Sequence, residues 1–194
     1  IVEYESSKRA FYADFGIHYE FNTTGNQKWA AGLVFAPSLQ VNHENNLTYS
    51  NSSTSEGVDK SYHSRTQYLP MHIGAGISMT TERWVVTTDY NYLDWSRNTS
   101  SYTSMKYENQ HKLNIGGAYI TNPRLPRSTE LMGGIGLSNS YINLRGGKMQ
   151  YLEVSAGASF PIRYSYLSLG ATWRKQINSR SSLMQESRFS MNLN

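Results

Sequence analysis

The sequence predicts an all-β fold, an antiparallel transmembrane β-barrel of the bacterial outer membrane. Three observations lead there. Two-residue alternation of apolar and polar side chains recurs in about nine segments of the 194 residues. The segments run to about 12–15 residues, enough for a tilted strand that needs about 9–11 to cross the hydrocarbon. The connections between them alternate between short and long, as expected for inner turns and outer loops.

The first segment sets the pattern. Phe11, Ala13, Phe15, Ile17, Tyr19 and Phe21 fall on one face, and Tyr12, Asp14, Gly16, His18 and Glu20 on the other, because successive strand side chains point to opposite sides. Strands are expected at roughly 9–22, 27–41, 66–79, 83–96, 108–121, 130–143, 149–161, 166–177 and 184–194. The second carries Trp29, Ala31, Leu33, Phe35 and Leu39 outward, the third Leu69, Met71, Ile73, Ala75, Ile77 and Met79. The fifth offers Leu113, Ile115, Gly117 and Tyr119, the seventh Leu152, Val154, Ala156, Ala158, Phe160 and Ile162. The eighth offers Leu167, Leu169, Ala171 and Trp173, the last Phe189, Met191 and Leu193. The fourth and sixth are less regular, and the sixth slips phase near Asn139, as a bulge would make it do. Pro70 opens its strand, where a missing N–H is tolerated.

Thr23–Asn26, Thr80–Glu82 and Ile162–Ser165 read as short turns, and Asn122–Ser128 as a modest one. Asn42–Arg65, Arg97–Tyr107 and Asn178–Leu183 read as longer polar connections, and Gly146–Gly147 as a tight hairpin against the trend. Gln27-Lys28-Trp29 and Glu82-Arg83-Trp84 each place a Trp just after a short turn. With Trp95, Phe160 and Trp173 these form a candidate interface aromatic girdle; ordinary cross-strand packing is the alternative. An odd strand count whose first and last members both run toward the periplasm implies at least one strand before Ile1.

Composition narrows the classes. Mean hydropathy is −0.57, which a barrel with polar inner face and loops permits. No apolar run reaches the about 18 residues of a membrane helix. Cysteine is absent, so disulfides and thiolate metal sites are excluded. The 15 Tyr and 4 Trp suit strands and membrane interfaces. The net charge of +4 is scattered rather than striped, which argues against a nucleic-acid partner.

The polar faces hold the lumen-facing candidates: Asp14, His18, Glu20, His72, Asp89, Asn91, Lys112, Asn114, Glu153, Arg174 and Arg188. Paired charges inside a barrel are the plain reading; a network that orients a plug or a ligand's polar head is the functional one. Asp14, Glu20 and Glu153 are candidates to pair with Lys112, Arg174 and Arg188. Inward glycines at Gly16, Gly32, Gly74, Gly76, Gly116, Gly157 and Gly170 leave space, through strand curvature, close backbone approach or a widened lumen. His18, His43, His63, His72 and His111 show no ligand spacing, so no metal site is expected. No serine lies in a Gly-x-Ser-x-Gly elbow, and no Gly-Gly pair precedes a Lys-Ser/Thr, so no catalytic residues, enzyme activity or cofactor are expected.

Four stretches carry a family resemblance. LPMHIGAGISMTTERWVVTTDYNYLDWS at 69–96 and YENQHKLNIGGAYITNPR at 107–124 resemble the long-chain fatty-acid transporter family (FadL-like). YLEVSAGASFPI at 151–162 and YLSLGATWRK at 166–175 are similar to the closing hairpin of its Bacteroidetes-type members. The resemblance implies a 14-stranded barrel with an N-terminal hatch, of which residues 1–194 supply the C-terminal portion, the last nine or so strands, without hatch or early strands. It implies transport of hydrophobic small molecules such as fatty acids. Membrane lipid, lipopolysaccharide, a hydrophobic ligand and outer-membrane protein partners are the expected contacts. The alternative is a structural or scaffold subunit of an outer-membrane secretion or assembly complex, since fold does not fix function. A soluble β-sandwich is disfavoured by the asymmetric connections.

Overall fold

A computed structural model describes residues 2–23, 26–50, 57–63, 67–100, 104–125, 127–144, 147–163, 165–178 and 186–193. Among them there is no helix, and every strand pair is antiparallel. The strands are β1 (Val2–Arg9), β2 (Phe15–Thr23), β3 (Gln27–Ala36), β4 (Gln40–Ser50), β5 (Gly57–His63), β6 (Gln67–Tyr68), β7 (Met71–Thr80) and β8 (Trp84–Asp94). They continue with β9 (Met105–Tyr107), β10 (Gln110–Ile120), β11 (Glu130–Asn139), β12 (Ile142–Leu144), β13 (Gln150–Ile162), β14 (Ser165–Asn178) and β15 (Ser187–Leu193).

Nine strands form the main sheet, in the order β15-β14-β13-β11-β10-β8-β7-β3-β2. Each is a neighbour of the next main-sheet strand in sequence, the arrangement that short antiparallel connections favour. The register is regular enough that single rows can be followed from one edge to the other. One such row runs Tyr19, Ala31, Ile77, Thr88, Ile115, Ile135, Val154, Trp173, Phe189. The row one residue along runs His18, Gly32, Gly76, Asp89, Asn114, Gly136, Glu153, Arg174, Arg188 on the opposite face. Local alternation therefore adds up to one apolar face and one polar face across the whole sheet.

The sheet is open. β2 bonds only to β3 and β15 only to β14, so the nine strands of the main sheet, the number expected, do not close into a barrel. Closure depends on strand number and shear, which alternation does not encode. A second departure concerns residues 42–65, expected as a polar connection. Most of β4 and all of β5 lie there, paired with each other, and β4 pairs also with β1 and β6. Backbone pairing needs no apolar face, and Leu47, Thr48, Tyr49, Val58 and Tyr62 are strand formers. A third departure is at Asn139. β11 ends there, and the chain leaves the sheet to pair β12 with β9. The phase slip near Asn139 marks a strand end, while the register shift of this region lies at Gln150/Tyr151 of β13. The expected hairpin at Gly146–Gly147 lies partly outside the described residues; Gly147 bridges to Leu144.

The chain exposes 14320 Å², against the about 9,300 Å² expected of a compact monomer of 22.0 kDa. The excess follows from the missing second layer. Among the described residues the only buried hydrophobics are Ala36 and Tyr151, whereas Ile17 is 74 % exposed and Met191 76 %. Each strand touches only its sheet neighbours. Folding in water alone would leave this sheet without a hydrophobic core.

Candidate functional site

The polar face is built around three strands. On β8, Asn91 accepts a hydrogen bond at Oδ1 from the His72 imidazole Nε2 of β7 (2.9 Å) and donates from Nδ2 to Asp89 Oδ1 (2.8 Å). Asn114 of β10 donates to the same carboxylate oxygen (3.0 Å). The glycines opposite make room for these amides. A Cβ on Gly74 would stand 2.6 Å from Val34 Cγ1 and 2.8 Å from Asn91 Oδ1, and one on Gly136 2.7 Å from Asn114 Oδ1. At these two positions the space is filled by a neighbour's amide, so it widens nothing.

The other lumen-facing candidates take different places. Asp14 precedes β2, in the irregular stretch 10–14. Its carboxylate accepts a hydrogen bond from Tyr12, which, with lesser contributions from desolvation and charge, holds that phenol above its usual pKa. His18 and Glu20 share the edge strand β2, with Nδ1 and Oε1 3.9 Å apart, both exposed. Lys112 lies in register with Asn91 and Ser138. Glu153 lies in register with Arg174, yet they form no ion pair. Arg174 instead stacks its guanidinium 4.1 Å from the centre of the Tyr151 ring, and Arg188 lies in register with Arg174. Among the described residues, none of the expected pairs between Asp14, Glu20 or Glu153 and Lys112, Arg174 or Arg188 forms. Asp14 and Glu20 sit at the β2 edge, with β3, β7 and β8 between them and Lys112, whereas Arg174, directly opposite Glu153, turns along its strand to a buried aromatic face that gives the cation a drier contact than a solvated carboxylate does.

Between β8 and β15 the polar face is concave. It encloses a groove of about 560 Å³, floored by Gly116, Gly134, Gly157 and Gly170 and edged by Asp89 and Glu153. Ser155 and Thr172 add hydroxyls to it. The alternation did not single out these two, because small hydroxyl residues carry little period-two signal. A second recess of about 790 Å³ lies where the apolar face meets the outer connections, among Tyr90, His111, Leu113, Leu137 and Lys148. There Asn139 takes over from the ladder, accepting from the His111 amide (2.6 Å) and donating to the Asn109 carbonyl (2.7 Å).

The aromatic candidates separate into three positions. Trp29, Trp84 and Phe160 lie on the apolar face at the short-turn end, and Trp84 packs on Tyr119 with ring centres 4.7 Å apart. Trp173 lies mid-sheet, in the row of Val154 and Phe189, with Nε1 donating to Ser187 Oγ (3.2 Å). Trp95 lies beyond β8 at the opposite end, stacked on Tyr141 (4.6 Å) and near Tyr107 (6.2 Å). The five thus do not share one level of the sheet. The described residues hold no group of three or more His, Cys, Asp or Glu arranged for a metal.

No curated protein matches the sequence. A family model described as BamG matches residues 2–194. This corrects the FadL-like resemblance and, with it, the reading as a carrier of hydrophobic ligands. Glycine-rich alternation, a short turn and a Trp-led return strand are what any antiparallel apolar wall needs, so those stretches report architecture rather than family. The chain belongs to the BamG family, a name associated with the BAM outer-membrane assembly machinery.

Proposed function

We propose that this protein is a non-catalytic structural subunit of an outer-membrane protein-assembly complex, located in the outer membrane. In this reading its main sheet is the C-terminal portion of one β-barrel domain, with the apolar face against lipid, lipopolysaccharide and partner subunits. The supporting observation is the uncovered apolar face, continuous over nine strands. Contiguous apolar surface on that scale marks a membrane or protein interface. β3, β7 and β11 have 10 residues and β8 and β10 have 11, the length that crosses a bilayer. Membership of the BamG family favours assembly over other uses of such a wall.

Strand direction limits how the wall is completed. With nine antiparallel strands, β2 and β15 run the same way, so an antiparallel closure requires an odd number of further strands. A second copy in the same orientation supplies nine, also odd, but presents β15 to β2 in parallel, so it does not serve.

Native mass spectrometry of the intact protein, extracted from outer membranes in mild detergent, tests the reading. A stable complex with other outer-membrane proteins is expected, together with accumulation of unassembled barrels when the protein is depleted. An isolated chain and unchanged barrel assembly would overturn it.

A further inference from the structure

The recess at the outer end of the apolar face differs from the wall around it. Its floor is apolar: Leu113 and Leu137 face each other in register, with Ile177 beside them. Gln150 pairs with Asn178 and Tyr151 with Gln176, so Ile177 is the extra residue of a bulge. Its outer rim is polar. The chain leaves the main sheet at Asn139 and returns at Gln150, and this excursion, paired with β9, brings Tyr107, Glu108 and Lys148 to the rim. A size of about 790 Å³ falls in the range of ligand-sized clefts, about 300–1,000 Å³. Two lysines stand at this boundary. The Lys148 side chain is 73 % exposed, with Nζ 3.8 Å from Glu108 Oε2. Glu108 is the one carboxylate among the described residues that line the recess, and its other oxygen accepts from Asn143 Nδ2 (2.6 Å). Lys175 is an independent observation. The register row Leu113, Leu137, Leu152 reaches it on β14, so a cation stands in a row of apolar side chains. Its Nζ lies 5.9 Å from the centre of the Trp173 ring, and no carboxylate among the described residues pairs with it. Asp94, at the same end, accepts from the Ser96 amide (2.9 Å); among the described residues neither it nor Glu186 comes within ion-pair distance of either lysine. A cation on a lipid-facing wall is costly unless an anion or the headgroup layer meets it.

We propose that this recess binds a phosphorylated, acylated sugar of the outer leaflet, the membrane anchor of lipopolysaccharide, with an acyl chain on Leu113, Leu137 and Ile177 and phosphate on Lys148 and Lys175. The apolar floor and the cations fix the class of ligand as an anionic amphiphile, because a chain on the floor carries its headgroup to the rim. The level selects the leaflet: the recess lies at the end of the sheet opposite the short turns, where the long connections gather. The rim selects sugar over glycerol. Gln150 and Ser96 are hydrogen-bonding groups for hydroxyls, and the Tyr107 ring, backed by Trp95 with centres 6.2 Å apart, offers a flat surface to a pyranose. Glu108 holds Lys148 until the phosphate competes for it. The inference rests on the subunit reading for the leaflet that meets this end.

The test reconstitutes the full-length protein in phosphatidylcholine vesicles with a low mole fraction of lipid A carrying a diazirine in one acyl chain, and maps the photo-adducts by mass spectrometry. Phosphatidylglycerol with the same diazirine is the second probe, an anionic phosphate lipid without the sugar. Lipid A adducts are expected to concentrate at Leu113, Leu137 and Ile177, about tenfold over Leu33 and Ile77 elsewhere on the same face. Their yield should fall about tenfold in Lys148→Gln and again in Lys175→Gln, the loss of one charge-assisted contact each. Glu108→Gln, which keeps an acceptor for Asn143 and frees Lys148, should raise it. Lys28→Gln, at the other end of the sheet, should leave it unchanged, and heat-modifiable migration checks that every variant folds. Adducts spread evenly over the face, equal enrichment of phosphatidylglycerol at the recess, or a yield indifferent to both recess lysines would overturn the proposal. Leu33 and Ile77 report separately on the subunit reading. Adducts there without enrichment at the recess remove this inference and leave a membrane-facing wall intact, whereas no adduct anywhere on the face removes both.

Discussion

The two faces of the main sheet come from the same nine strands, one residue out of step, and they solve opposite problems. On the apolar face side chains are large and uncovered: Leu33 is 61 % exposed and Leu193 72 %. On the polar face large side chains alternate with glycines, and amides fold over those glycines to reach a shared carboxylate. In the proposed reading the first face is stabilised by what lies outside the chain, while the second makes its contacts within it. Substitutions on the first should therefore act through insertion, and those on the second through local packing.

The largest separation is expected from a charge on the apolar face. Replacing Ile73 or Val154 with Arg should cost about 2–4 kcal/mol of folding into a bilayer if these residues lie near the midplane. Ser155→Arg, one residue from Val154 but on the polar face, should cost far less. Urea titrations of the protein in lipid vesicles measure both, and equal costs on the two faces would end the assignment of lipid-facing and inner sides.

The polar face can be divided further by its glycines. Gly136→Ala places a methyl 2.7 Å from Asn114 Oδ1, and Gly74→Ala one 2.6 Å from Val34 Cγ1. Each should cost about 1–3 kcal/mol, the usual price of overpacking. Gly32→Ala meets nothing nearer than the Ile17 carbonyl at 3.8 Å and should be neutral or slightly stabilising, since Gly in a strand is the costlier residue by about 0.5–1 kcal/mol. The same titrations rank the three, and a destabilised Gly32→Ala would mean that something not described here covers that spot.

Why some of this is legible in sequence and some not follows from what alternation measures. It reports which side of a strand is apolar, so it finds the nine sheet strands and sorts His18, Asp89, Glu153, Arg174 and Arg188 onto one face, where the register then aligns them. It runs on through Phe11 and Ala13, where apolar residues continue but the ladder has not begun. It misses β5 and most of β4, whose sequences, Asn-rich in β4 and with Asp59 and Lys60 in β5, lack regular apolar alternation. It cannot assign the partner of a long side chain, which is how Arg174 comes to rest on Tyr151 rather than Glu153. Nor can it tell one family of apolar walls from another.

A smaller contrast lies within the aromatics. Trp84 and Tyr119 form a tilted pair at the short-turn end, and Arg83 Nη1 donates to the Tyr119 hydroxyl (3.4 Å). Trp84→Leu keeps an apolar side chain and removes the ring pair, worth about 0.5–1.5 kcal/mol beyond area. Among the described residues Trp173, at mid-sheet, has no such ring pair, only an exposed hydrogen bond to Ser187 Oγ (3.2 Å) and Lys175 Nζ 5.9 Å from its ring centre, and Trp173→Leu should cost less. Tryptophan emission of each variant in vesicles, quenched by lipids brominated at defined depths, distinguishes the levels. The Trp84 signal should respond to shallow bromines and the Trp173 signal to deep ones; the reverse order would invert the placement of the sheet.

The smallest effect is expected at a turn. Arg163, joining β13 to β14, has φ 36°, and Asn26, after β2, has φ 59°. Asn enters the left-handed region readily, whereas a longer side chain such as Arg pays a steric cost of about 1–2 kcal/mol there. The Arg163 carbonyl accepts the Arg127 guanidinium, but that contact uses the backbone and survives truncation. Arg163→Gly removes the clash, while the greater freedom of glycine in the unfolded chain returns part of the gain. The net expectation is a stabilisation below about 1 kcal/mol. A higher urea midpoint for Arg163→Gly with an unchanged slope supports this account. A lower midpoint would mean that the Arg163 side chain itself makes a contact that outweighs its backbone strain.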